Sequence, residues 1–162
     1  MKVLEWFKNT TSSSEEMRQT LRNSQALDSS STAFMMADEN LNIIYANKSV
    51  IDLLKRLEKD IQEALPNFSA DNLVGQNIDI FHKNPSHQRN MLGGLTSTHS
   101  SSIIVGRLNF KLTLSPLFDN EHNKIGTVVE WLDQTDLILK AGMLDALDRS
   151  QAVIEFTPEG II

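Results

Sequence analysis

Apolar and polar residues alternate along this chain with a period that switches between helical and strand-like. Residues 9–14 are polar and read as a linker. Ser13 and Glu16 then stand at capping-box spacing, so a helix of about three turns is expected behind them. Met17 and Leu21 share one of its faces, which Leu27 continues. From Ala33 the pattern becomes strand-like. Ala33-Phe34-Met35-Met36-Ala37 predicts a short strand, Asp38-Glu39-Asn40 a turn and Ile43-Ile44-Tyr45-Ala46 the return strand of a hairpin. Asn47 is suited to cap a helix carrying Val50, Ile51, Leu54 and Leu57. Short helical pieces are expected from Glu58 to Leu65 and from Ser69 to Val74, separated by Pro66.

Asn84 followed by Pro85 reads as the opening of a longer helix through Met91, Leu92 and Leu95, weakened at its end by Gly93-Gly94. Three strands are expected after it. Ser101 to Val105 forms the first. In the second, Leu108, Phe110, Leu112 and Leu114 alternate with Asn109, Lys111, Thr113 and Ser115, which gives one buried face. Asp119 to Asn123 is the turn, and Ile125 to Leu132 the third strand, with Thr127, Val129 and Trp131 on one face and Val128, Glu130 and Leu132 on the other. A last helix is expected from Asp136, with Leu137, Ala141 and Leu144 near heptad spacing and Thr135 suited to cap it. Gly142 makes it a poor isolated helix, so it needs a partner. Strands on either side of helices predict an α+β fold with one antiparallel sheet covered on one face.

Composition narrows the function. The chain has 162 residues, 40% of them hydrophobic, enough for one globular core with flanking segments. Its 21 acidic residues against 15 basic ones give a net charge of −6, which argues against a nucleic-acid surface. There is no cysteine, so disulfides, thiolate nucleophiles and Cys-based zinc or iron–sulfur sites are excluded. A reducing cytoplasm fits that usage. No apolar run approaches the length of a membrane span, and the apolar stretch at Val3 to Phe7 is too short and too interrupted by Glu5 for a secretory signal.

Two residues carry the candidate chemistry. His82 stands in Phe81-His82-Lys83-Asn84-Pro85-Ser86-His87, and an imidazole can hold a haem iron from one side. Trp131 lies on the core face of its strand, and its indole N–H is a donor only, suited to an electron-rich ligand on the opposite side. Bland readings stand beside both: His82 as a residue capping a turn, and Trp131 as packing. Met35 and Met36 could line a cavity or fill the core. Lys83 and Arg89 could pair with carboxylates of a bound group or remain solvated. Of the four histidines, His99 and His122 lie in turn-like contexts and His87 one turn inside the predicted helix. Asp79 and His82 form no coherent triad with a nucleophile, and His82 with His87 is too few ligands for metal-assisted hydrolysis, so no enzymatic activity is expected.

Several short motifs occur in a telling order: Tyr45-Ala46-Asn47, Leu73-Val74-Gly75 ahead of Ile78-Asp79-Ile80-Phe81, and Asp133-Gln134-Thr135. Together they resemble a PAS sensor domain over about Ser31 to Thr135. The run from Phe81 to Arg89 looks like PAS domains of bacterial methyl-accepting chemotaxis receptors, and among these it is similar to the haem-binding PAS domains of soluble, aerotaxis-type receptors. The resemblance implies a PAS fold, haem b as cofactor, and His82, on a short 3₁₀ turn, as proximal iron ligand. It implies Trp131 as the distal residue contacting bound O₂ and Leu112 as an apolar distal neighbour. It further implies that Asp133 and Thr135 pass the signal into the next helix; Gln134 stands between them where a small apolar residue is more usual. Strand alternation independently turns Leu112 and Trp131 toward the core. The expected organisation is an N-terminal linker and cap helix (1–30), a sensor domain (31–135), a linker helix (136–149) and, because Ala26-Leu27-Asp28 recurs at 146–148 ahead of a similar apolar run, the start of a truncated second PAS domain at 150–162. The expected module senses a diatomic gas, O₂ first among them, in the cytoplasm and forms a homodimer through its flanking helices. The alternatives are a cofactor-free dimerising relay and a flavin-binding domain, the latter without the cysteine of a light-sensing photoadduct.

Overall fold

The computed structural model describes residues 2–82, 89 and 91–150. The elements run α1 (Lys2–Asp28), β1 (Ala33–Ala37), β2 (Ile43–Ala46), α2 (Lys48–Arg56), α3 (Glu58–Ala64), a 3₁₀ turn (Ile78–Phe81), β3 (His99–Val105), β4 (Leu108–Phe118), β5 (Lys124–Asp133) and α4 (Thr135–Ser150). The five strands form one antiparallel sheet in the order β2-β1-β5-β4-β3. This is the α+β arrangement expected from the alternation of periods. The predicted helix start at Asn84-Pro85, together with Lys83, His87 and the repeated segment at 151–162, lies outside the described residues.

Period-two alternation sets which face of each strand is core. Direct cross-strand partners share a face. One row therefore crosses four strands as Ala33, Trp131, Leu112 and Ser101, and the next as Met35, Val129, Leu114 and His99. Against this face pack Val50, Leu53 and Leu54 of α2 and Ile61 of α3, all buried, together with Phe68, Leu73, Ile78 and Leu92 from the connecting segments. β5 sits at the centre of the sheet, so Trp131 is fixed between β1 and β4 and is 8% exposed.

Asn47 joins the elements around the hairpin. It is fully buried; its Oδ1 accepts from the backbone N–H of Phe34 (3.1 Å) and of Val50 (3.0 Å), capping α2 as its position predicts. Its Nδ2 donates to the carbonyls of Thr32 (2.8 Å) and Leu27 (3.4 Å), which ties down the end of α1. Nearby, Ser49 Oγ donates to the Ser30 carbonyl (2.6 Å) and the Tyr45 hydroxyl donates to Asp28 (2.5 Å).

Several expectations are corrected. Residues 9–14 are not a linker: α1 runs through them, so Ser13 does not cap it. No Gly or Pro interrupts that stretch, and polar residues cost a helix only a few tenths of a kcal/mol each, about 0.7 at most. Residues 69–74 form turns and bends rather than a helix. There the Ala70 N–H donates to the Glu58 carboxylate (2.8 Å). The helix before β3 stops at Gly93, short of Leu95. His99 starts β3 rather than lying in a turn, though it is exposed as expected. β4 continues through Pro116, which lies past the end of β3, where one side of β4 is a sheet edge that tolerates a missing N–H. The β3–β4 connection places Gly106 at φ +58° and brings it onto α3, where an added Cβ would lie 3.4 Å from the Asp60 carbonyl.

Two measurements check this framework. Asn47→Ala should lower stability by about 1–3 kcal/mol, read as a lower denaturation midpoint with unchanged slope, because it strands buried backbone partners. Tyr45, the one tyrosine in the chain, is pushed up to about 12 by burial and then by the hydrogen bond and charge of Asp28. A raised folded-state pKa adds stability below the unfolded value of about 10, and that stability is lost as pH rises from about 10 toward 12. Absorbance titration of the phenol should show the high midpoint, and Asp28→Asn should lower it.

Candidate functional site

The core side of the sheet encloses a cavity of about 680 Å³, within the usual range for small-molecule sites. The rows described above supply one wall through Met35, Leu112, Leu114, Val129 and Trp131. α3 and the segment from Ile78 to His82 supply the other. β3, the edge strand, borders the opening with Ile103, Ile104, Val105 and Gly106. The lining is apolar apart from His82, the indole of Trp131 and the hydroxyl of Ser101.

His82 is delivered to this cavity by local capping. Asn77 Oδ1 accepts from the Asp79 N–H (3.3 Å) and starts the 3₁₀ turn Ile78–Phe81; the His82 N–H closes it on the Asp79 carbonyl (2.9 Å). The His82 ring then bends back so that Nδ1 lies 3.0 Å from the Ile78 carbonyl. A carbonyl only accepts, so Nδ1 carries the proton and donates, which leaves the Nε2 lone pair free. Burial lowers the pKa of His82, opposed by the Ile78 hydrogen bond and by the charge of Asp79. A neutral imidazole with its outer nitrogen fixed by a backbone carbonyl is the arrangement found in histidines that hold metals. Among the described residues no three His, Cys, Asp or Glu side chains cluster as a metal site.

Trp131 also lines the cavity. Its ring is 5.2 Å from that of Phe81, tilted at 47°, and 5.5 Å from that of Phe110 in an edge-to-face contact. Phe68 backs Phe81 at 5.3 Å. Among the described residues the buried Trp131 Nε1 has no hydrogen-bond partner, and neither has Thr127 Oγ1 on the same face of β5. Leu112, half-buried, lies directly beside Trp131 in the row. The structure thus brings His82, Leu112 and Trp131 to one cavity. It separates the methionine pair: Met35 lines the cavity, while Met36 is on the opposite face of β1. Arg89 is engaged by Asp79 through Nε (3.1 Å) and Nη2, and this pair lowers the Asp79 pKa. His122 is exposed in its turn at φ +65°.

The end of β5 is held separately. Asp133 Oδ1 accepts from the Thr135 N–H (3.0 Å) at the start of α4, and Arg56 lies 3.8 Å from Asp133. Thr135 does not cap α4 as expected. It is the first helical residue, and its hydroxyl accepts from the Asn109 N–H (3.0 Å), while the Gln134 N–H donates to the Asn109 carbonyl (2.8 Å). Sequence reasoning missed Phe81, Asn77 and Ile78 as parts of the site. The Asn77-x-Asp79 spacing was a readable turn signal; the contact of Phe81 with Trp131 has no local signature.

Comparison with known proteins agrees with this fold. A model of the PAS domain family matches residues 21–85. Over 111 residues the chain is 46% identical to the methyl-accepting chemotaxis protein McpB of Pseudomonas aeruginosa; the match covers 68% of this chain and 16% of that protein. A solved structure of the Aer2 receptor from Vibrio cholerae, described as a dual PAS-haem oxygen sensor, is 41% identical, with a TM-score of 0.59 over 63% of this chain and 93% of that one. The PAS domain of an HTR-like protein from Haloarcula marismortui, 10% identical, shares the fold, with a TM-score of 0.54 over 76% of this chain and 98% of that one.

Proposed function

This chain belongs to the PAS domain family, and we propose that it is a haem-binding sensor module for a diatomic gas. The observation that carries this reading is His82. Its Nδ1 is committed to the Ile78 carbonyl, and its ring borders a large apolar cavity that is also lined by Trp131, whose indole N–H has no partner among the described residues. Haem b would supply an iron able to bind a diatomic, O₂ first among them. The chain's own residues do the rest. His82 presents Nε2 as the single protein ligand. Leu112 and the neighbouring aliphatic side chains exclude water. The Trp131 N–H donates to the electron-rich ligand once it can reach it.

The similarity to a receptor described as a PAS-haem oxygen sensor and to a chemotaxis receptor supports the same reading. On it, residues 31–135 sense, α4 carries the state onward, 150–162 begin a second PAS domain, and the whole acts in a cytoplasmic chemotaxis-type output. A homodimer through α1 and α4 accompanies it, since Met17, Leu21, Leu137, Leu144 and Leu147 are all exposed. No helix among the described residues is long and apolar enough to cross a membrane.

The absorption spectrum of the purified chain separates haem-bound, flavin-bound and cofactor-free forms. His82→Ala should remove most of the bound haem while circular dichroism shows an intact fold; full retention with an unchanged spectrum would assign the ligand elsewhere. Trp131→Phe should weaken O₂ binding by about 1–3 kcal/mol and CO binding much less, since the lost interaction is a hydrogen bond to the more polar ligand. Equal losses for both gases would reduce Trp131 to packing.

A further inference from the structure

Resting on that reading, we propose that Phe81 is a positioning residue: its ring braces Trp131 in an orientation in which the indole N–H is covered, and displacing this brace sets how readily the cavity takes a polar gas. Trp131 borders the cavity, yet its Nε1 has essentially no accessible surface and no partner among the described residues. A donor in that state cannot reach a ligand lying in the cavity. The indole must turn, or its neighbours must withdraw, before it can donate.

The rings against the indole are Phe81 at 5.2 Å and Phe110 at 5.5 Å. They differ in freedom. Phe110 is 1% exposed, in the middle of β4, and its strand neighbours fix it on both sides. Phe81 is only half-buried and ends the 3₁₀ turn, where the chain leaves regular structure. It also directly precedes His82 in sequence. Any adjustment of the backbone that carries His82 therefore moves the brace on Trp131. One dipeptide links the two sides of the cavity, and Phe68 limits how far the Phe81 ring can retreat.

The test uses the full chain with Trp6→Phe, so that Trp131 is the one remaining tryptophan of two. Without haem, acrylamide should quench Trp131 fluorescence weakly. Phe81→Leu, and Phe81→Met, which keeps a long apolar side chain without the ring, should each raise the quenching constant at least about twofold. In the haem-loaded chain both should raise the ratio of O₂ to CO affinity roughly two- to tenfold, the scale of one aromatic contact. Strong quenching in the parent overturns the proposal without any Phe81 variant. So does unchanged quenching in Phe81→Met, or an equal shift for both gases. If the chain takes up no haem, the proposed function fails while the quenching arm still decides the brace.

Discussion

An N–H buried without a partner carries a standing cost of about 1–3 kcal/mol, and the Trp131 indole bears it at the centre of the sheet. β5 lies between β1 and β4, and its alternation gives Trp131 no route to the solvent face. The penalty is tolerated because the ring packs against Phe81 and Phe110 and closes one wall of the cavity. A packed core with no other purpose would gain by replacing the indole with a hydrocarbon ring of similar size. A cavity that admits a polar ligand gains from keeping the donor there. The unpaired N–H and the lone pair of His82 Nε2 are therefore best understood together.

The hairpin and the strands were legible because period-two alternation survives in them. Leu108, Phe110 and Leu114 are buried where alternation puts them, and Asn47 caps α2 as its identity and position indicate. The misreadings arose where local chemistry is permissive. Residues 9–14 are polar but contain no helix breaker, so composition alone could not distinguish a linker from a helix. Residues 69–74 form turns and bends in which the Ala70 N–H is held by Glu58, twelve residues away in sequence, a contact that no local pattern shows. Thr135 resembles a cap, yet the Asn109 N–H from β4 reaches its hydroxyl. In the site, His82 was visible as a residue type, whereas the Ile78 carbonyl that fixes its tautomer depends on the 3₁₀ turn. The Phe81–Trp131 contact joins residues fifty positions apart and left no trace in any local pattern.

The way out of the domain follows from contacts already present. Phe110 touches the Trp131 ring and pairs with Asp133 across the β4–β5 ladder. Its neighbour Asn109 holds the chain on both sides of the exit, accepting from Gln134 and donating to Thr135. A change in ring packing at Trp131 is thus one residue from the backbone that anchors α4. On the proposed function, the energies suit a switch. The aromatic contacts that hold the indole are worth about 0.5–1.5 kcal/mol each beyond their buried area, and the hydrogen bond it could make to a ligand about 1–3 kcal/mol. These are of the same size, so neither arrangement of the indole is locked. A ligand shifts a two-state element only by its differential affinity for the two states. A donor that is covered in one state and engaged in the other provides that difference for a polar gas and little of it for an apolar one.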